Sequence, residues 1–254
     1  RDIIEQPYST MDEIFAAATT AGSTAASHMV EFGSWFVTGV STNGKNVYVT
    51  DGTKGFVIRD DDGGLASTYH ADDLIEGTVW ASLKLNQGYA QLTDVDASGL
   101  TIEEYGAPDF AEISMANLSG INTGALVQYV GLTCSVSSGN YYLSDGTTTL
   151  QVYNLLYADA YDNFEAGKTY TISGVYQQYG DTKEILPRSA DDIVEVLIPS
   201  ITVTPATANP NANDVEGTLA IAYENLTINN MNDFAVQFYD ENNQELNGAN
   251  VPGW

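Results

Sequence analysis

Alternation of apolar and polar residues governs most of this chain, and it predicts strands rather than helices. Val47 to Thr50 and Phe56 to Arg59 are short alternating runs joined across Asp51-Gly52, a dipeptide that favours a tight hairpin. Trp35 to Val40 alternates ahead of them, with the turn-forming Ser41 to Lys45 between. Leu74 to Leu85 and Tyr89 to Val95 supply two further strands, separated by Asn86-Gln87-Gly88. One segment has the other periodicity. Thr10 can cap a helix whose third residue is Glu13, completing a capping box. Ile14, Phe15 and Ala18 give that helix an apolar face, which fades into the small-residue stretch from Ala21 to His28.

The pattern then repeats. Tyr48-Val49-Thr50-Asp51-Gly52-Thr53 is echoed by Tyr142-Leu143-Ser144-Asp145-Gly146-Thr147, 94 residues on. Phe56 and Ile58 fall on Leu150 and Val152 without a gap. The second set of strands is Leu126 to Val136, Tyr141 to Ser144, Leu150 to Tyr153, Tyr170 to Tyr179 and Thr182 to Leu186, with Ile193 to Ile198 as an extension. Tyr157 to Phe164 occupies the slot of a short helix or loop between the third and fourth strands. Five strands with a linker in that slot are the elements of a Greek-key OB barrel. The fold expected is all-β with minor helix: two tandem five-stranded OB-like barrels followed by a partial Ig-like sandwich. The expected divisions are 1–107 for the leader helix and first barrel, 108–198 for the second barrel, and 199–254 for the tail. About three strands are legible in that tail, whereas a sandwich of the Ig type needs about seven.

These motifs resemble modules of Bacteroidetes-type surface lipoproteins. The resemblance rests on the pattern Y-[VL]-[TS]-D-G-T followed by [FL]-x-[IV], and on the tail beginning Pro199-Ser200-Ile201-Thr202-Val203-Thr204-Pro205, which is similar to the Ig-like segments of such proteins. It implies a secreted or outer-surface setting, in nutrient capture or adhesion, and carries no catalytic residues over. The chain opens on Arg1 without an apolar signal segment, as expected of a processed or trimmed chain, and a lipid-anchoring cysteine would lie before it.

Charge narrows the partners. Asp and Glu number 34 against 8 Lys and Arg, a formal net charge of −26. Such a surface repels phosphate backbones, so binding of nucleic acid is not expected. No apolar run reaches the roughly 18 residues of a membrane span. The two histidines, His28 and His70, have no second ligand at metal spacing, and no nucleophile-elbow or phosphate-loop motif is present. Asp94-Val95-Asp96-Ala97-Ser98-Gly99 begins like a calcium loop, but its twelfth position is Tyr105 rather than an acid. No cofactor, metal or enzymatic activity is expected. Strand parity makes Cys134 a core residue.

The same parity points Val47, Val49, Phe56 and Ile58 into the first barrel, and Leu143, Leu150 and Val152 into the second. Tyr48, Val57 and Arg59 then face outward, as do Tyr142, Gln151 and Tyr153. In OB barrels this face holds ligand, and tyrosines on it stack against planar bases or sugar rings. The candidate site is therefore Tyr48 and Arg59 in the first barrel, and Tyr142 and Tyr153 in the second, with Tyr176 and Tyr179 at its border. Trp80 and Tyr89 are weaker counterparts in the first barrel, and core packing is the favoured reading of Trp80. The function expected is a non-catalytic binding or spacing module for a glycan or protein. The alternatives are an OB-type binder of single-stranded nucleic acid and an accessory part of an extracellular hydrolase. The competing account of the tyrosines is burial against a neighbouring domain or the leader helix.

Overall fold

The computed structural model describes residues 6–52, 54–106 and 109–197, and four short strands at 200–204, 220–224, 238–239 and 245–246. Residues up to Val196 form one compact unit, and those from Leu197 onward form another.

Within the first unit, helix α1 spans Met11–Ala21 and carries the capping box that its sequence encodes. The Glu13 amide donates to Thr10 Oγ1 at 3.2 Å, and the Thr10 amide donates back to Glu13 Oε2 at 3.1 Å. The helix buries Met11, Ile14, Ala17 and Ala18. Phe15, expected on that apolar face, is exposed instead.

The first barrel follows. Its strands are β1 (Ala26–Val40), β2 (Asn46–Thr50), β3 (Gly55–Arg59), β4 (Asp73–Asn86) and β5 (Tyr89–Thr93), with β6 (Leu100–Glu104) added on β4. The order is β1-β2-β3-β5-β4, and β1 pairs with β4 to close the barrel. All these contacts are antiparallel except β3 with β5. The strand β1 begins well before the expected Trp35, because Ala26–Phe32 pairs along Leu83–Gly77 of β4. Small residues that look like a linker in sequence are here held in a ladder by their partner strand.

The second barrel repeats this wiring. A two-residue strand β7 (Ala111–Glu112) precedes β8 (Leu126–Ser137), β9 (Asn140–Ser144), β10 (Thr149–Val152), β11 (Thr169–Tyr179) and β12 (Thr182–Leu186), with β13 (Ile193–Glu195) on β11. The order β8-β9-β10-β12-β11 is closed by β8 with β11, and β10 with β12 is the parallel pair. A one-turn 3-10 helix stands between the third and fourth strands of each barrel, Leu65–Ser67 in the first and Ala160–Asn163 in the second. Strand order, the parallel pair and closure are those of the OB barrel.

The repeat holds at atomic detail in the hairpin turns. Lys54 N donates to Asp51 Oδ1 at 2.8 Å, and Thr148 N donates to Asp145 Oδ1 at 2.8 Å. Gly52 N donates to Thr50 Oγ1 and Gly146 N to Ser144 Oγ, each at 3.0 Å. Both glycines take a left-handed conformation, with φ of 95° and 92°, which a side chain would resist.

Each barrel has its own core. Val47, Val49, Phe56 and Ile58 meet Phe32, Trp35 and Leu83 in the first; Leu143, Leu150, Val152 and Cys134 meet Tyr129, Ile172 and Tyr176 in the second. Trp80, expected in the core, is exposed instead. Asp96 accepts from Ser98 N at 3.0 Å and caps the one-turn helix Ala97–Gly99, a local turn. Among the described residues no cluster of three His, Cys, Asp or Glu is arranged to hold a metal, and no helix is long and apolar enough to cross a membrane.

In the second unit, β14 (Ser200–Thr204) pairs antiparallel with β15 (Ala220–Glu224), and β16 (Phe238–Tyr239) with β17 (Glu245–Leu246). The expected incomplete sandwich rests on segments that lie outside the described residues.

Candidate functional site

A third apolar cluster joins the two barrels. Tyr48, Val57 and Tyr89 from the first pack with Leu126, Leu156, Val175 and Leu186 from the second. Tyr48 and Val57 are the outward residues of the first hairpin, so the face that parity turns away from one core is buried against the other barrel. Polar contacts reinforce the seam. Thr38 Oγ1 donates to Gly124 O at 2.8 Å, Thr42 N donates to Leu155 O at 2.9 Å, and Gly180 N donates to Gln87 O at 2.8 Å. Arg188 Nη1 donates to Asp72 Oδ1 at 3.0 Å, and its guanidinium lies 4.8 Å from the centre of the Phe110 ring. The backbones also meet directly. A Cβ built on Gly55 would sit 2.4 Å from Thr123 O and 2.9 Å from Gly124 Cα.

Beside this seam the barrels leave a cleft of about 600 Å³, within the range of small-ligand sites. The ladder registers explain its walls. Lys84, Gln91, Val57 and Tyr48 stand side by side across β4, β5, β3 and β2, and neighbours in register project from one face. The corresponding row in the second barrel is Gln177, Glu184, Gln151 and Tyr142 across β11, β12, β10 and β9. The cleft takes Lys84 and Gln91 from the first row and Gln177 and Glu184 from the second. Arg59 and Tyr153 are a further equivalent pair, as are Asn86 and Tyr179. Asn43, Asn46, Asp61 and Leu155 stand at its rim, and Tyr48 and Tyr89 lie beneath it in the seam.

The floor is polar and nearly sealed. Tyr48, 1% exposed, donates its hydroxyl proton to Gln177 Oε1. The amide is thereby oriented so that Gln177 Nε2 donates to Glu184 Oε2 at 2.6 Å. Burial raises the Glu184 carboxyl above its ordinary range, with the Gln177 bond opposing it. Burial also pushes the Tyr48 phenol well up. At the rim, Arg59 Nη1 donates to Asn46 Oδ1 at 3.1 Å, and Arg59 Nη2 pairs with Asp61 at 2.7 Å. The guanidinium holds the Asp61 carboxyl below the usual carboxylate range. Gln91 is 4% exposed, yet its side-chain amide has no hydrogen-bond partner among the described residues. The amide atoms are not sealed off from solvent, and the residue lines the cleft.

Four of the six predicted site residues therefore meet in one place: Tyr48, Arg59, Tyr153 and Tyr179. Tyr176 does not border it. Tyr176 and Tyr179 are three residues apart on β11, an odd spacing that sends them to opposite faces, and Tyr176 is buried in the second barrel's core. Tyr142 is three strands from Gln177 along the same row, about 14 Å at the usual strand spacing. It lines a separate shallow groove with Thr147, Thr148, Thr149, Gln151, Asp181, Thr182 and Lys183. Sequence reasoning missed Asn46, Lys84, Asn86, Gln91, Gln177 and Glu184. The available signal was polar residues on one parity of strands otherwise apolar, as in Lys84/Asn86 and Gln177/Tyr179.

No protein-family model matches the chain, and no curated protein sequence matches it. Among solved structures it is similar to the HINb domain of p204, at 13% identity over 65% of this chain and 98% of that one, with a TM-score of 0.29. It is similar to a murine DNA-binding protein bound with double-stranded DNA, at 11% identity over 68% and 98%, TM-score 0.31. It is also similar to the Ifi202 HINa domain in complex with 20-bp double-stranded DNA, at 11% identity over 67% and 98%, TM-score 0.26. At these TM-scores the likeness transfers no activity, and the OB assignment stands on strand order and closure.

Proposed function

We propose that the tandem barrels are a non-catalytic binding module that holds a polyhydroxylated ligand, a glycan, in the cleft between them. The observation that carries this reading is the cleft's lining. Amide side chains from both barrels (Asn43, Asn46, Asn86, Gln91, Gln177) line it beside the accessible rings of Tyr153 and Tyr179, while Tyr48 and Tyr89 are packed into the seam beneath. Amides donate and accept at once, as sugar hydroxyls do, and tyrosines offer rigid faces for the C–H side of a sugar ring. The buried, unpartnered amide of Gln91 is satisfied when a ligand hydroxyl reaches it.

Charge supports a sugar over a nucleic acid. Four of the eight cationic side chains, Lys54, Arg59, Lys168 and Arg188, are already paired with carboxylates. Few remain to neutralise phosphates, and phosphate neutralisation dominates the affinity of OB barrels for single strands. The surface setting, as part of a Bacteroidetes-type lipoprotein, rests on the resemblance of the turn motif and the tail.

Titration calorimetry with a panel of gluco-, xylo-, manno- and galacto-oligosaccharides tests the ligand class, with fluorescence anisotropy of labelled oligo-dT in parallel. Saccharide binding without oligo-dT binding is the expected result. Oligo-dT binding alone, persisting at physiological salt, would replace this reading with the nucleic-acid one. Fractionation of the native cells tests the surface setting, with the protein expected in the outer-surface fraction.

A further inference from the structure

The two cleft-floor residues Gln91 and Glu184 occupy the same ladder position in the two barrels. Gln91 pairs with Val57 across the parallel contact of β3 and β5. Glu184 pairs with Gln151 across the parallel contact of β10 and β12. Both are buried, at 4% and 7% exposure, and both line the cleft. Glu184 Oε2 is held by Gln177, which is itself held by Tyr48. No residue engages Glu184 Oε1 among the described residues. The floor thus presents an oriented acceptor from one barrel and an unpartnered amide, donor and acceptor, from the other.

Resting on the reading of the cleft as a glycan site, we infer that Gln91 and Glu184 are the pair that reads the ligand's hydroxyls, and that they select an uncharged sugar over an acidic one. A carboxyl oxygen accepts a hydroxyl proton, and the opposing amide takes a second hydroxyl in either sense. Hydroxyls fit this pair because a ligand group that displaces water from these cleft-facing atoms without replacing its hydrogen bonds loses affinity. A sugar carboxylate does not fit. It brings a negative charge against Glu184 in a buried setting, and Asp61 stands on the same cleft. Arg59, one of the two cations lining the cleft, is committed to Asp61 and Asn46. Lys84 remains on the wall, and one ammonium facing Glu184 and Asp61 leaves the cleft without net positive charge.

The test uses the whole chain, the neutral oligosaccharides above and an oligogalacturonate of matched length. Gln91→Leu keeps size and removes both hydrogen-bonding atoms. Glu184→Gln keeps shape and turns an acceptor into a donor. Melting curves of both variants are compared with wild type so that misfolding is detected. The expected result is neutral saccharide bound by wild type, at least tenfold weaker binding by each folded variant, and oligogalacturonate bound at least tenfold more weakly than its neutral counterpart. Wild-type affinity for the neutral saccharide in both variants would overturn the pair while leaving the cleft reading intact. Equal or tighter binding of oligogalacturonate would overturn the selection for uncharged sugar. Binding of no saccharide by wild type would overturn the cleft reading and this inference together.

Discussion

Gly55→Ala should strain the backbone contact between the barrels and, through Val49 O, the hairpin of the first barrel. In the structure a Cβ on Gly55 falls 2.4 Å from Thr123 O, 2.6 Å from Val49 O and 2.9 Å from Gly124 Cα, all backbone. Real Cβ contacts essentially never fall under 3.0 Å. The gap to Thr123 must therefore open from 2.4 Å to at least 3.0 Å, and no side-chain rotation can supply that movement. Overpacking of this kind costs about 1–3 kcal/mol. Alanine also restricts the unfolded chain, which returns about 0.4–1 kcal/mol. The net loss is about 0–2.6 kcal/mol, and at its centre near about 1.3 kcal/mol the melting temperature falls by roughly 3–5 °C for a unit of this size. Gly120→Ala is the control, since nothing lies within 4 Å of a Cβ there and its φ lies outside the left-handed region. It should melt with wild type or slightly above. Thermal unfolding by circular dichroism reads both variants. If Gly55→Ala melts together with Gly120→Ala, the barrels are not held in the tight backbone contact described here.

Three further outcomes follow from the same geometry. Glu184 has its carboxyl raised by burial, so its contribution to stability is complete below the unfolded value of 4.5 and is lost as pH rises through the folded value; Glu184→Gln should gain on wild type over that rise in pH-dependent melting curves, and a constant difference would contradict the buried carboxylate. Asp145 has its carboxyl lowered by the amides of Thr148 and Thr147, so Asp145→Ala should melt below wild type at neutral pH, with the gap closing as pH falls through the folded value; a gap that persists in acid would point to another cause. Cys134 is buried in the second barrel's core with its thiol raised by burial, so iodoacetamide should label it only after denaturation, as mass spectrometry would show.

The barrels were legible because their signals are local. Alternation at Val47 to Thr50 and its echo at Tyr142 to Ser144 set strand and face together, and the Asp-Gly turns set the register. The capping box at Thr10 and Glu13 is likewise a short-range signal. The site was half legible. Parity found the face that holds Tyr48, Arg59 and Tyr153, but it cannot say what lies opposite that face. Tyr48 and Val57 became a seam because Leu126, Leu156, Val175 and Leu186 meet them there, a contact made from more than 60 residues away. Gln91 and Glu184 escaped notice because a single polar residue in a strand is ordinary until its surroundings are known. Tyr176 lies in the second barrel's core rather than at the border because its odd spacing from Tyr179 turns it to the opposite face.

Ligand held in the cleft between the barrels must touch both barrels at once. The most direct measurement is the change in backbone and side-chain amide NMR shifts as a neutral oligosaccharide from the panel is added to the isotopically labelled chain. Saturable shifts are expected at the side-chain amides of Gln91, Gln177 and Asn46, and at the backbone amides of Tyr153, Tyr179 and Glu184, from both barrels at once. Shifts confined to Tyr142, Gln151 and Thr147 to Thr149, with the cleft amides unmoved, would place the ligand on the outer groove and contradict binding in the cleft.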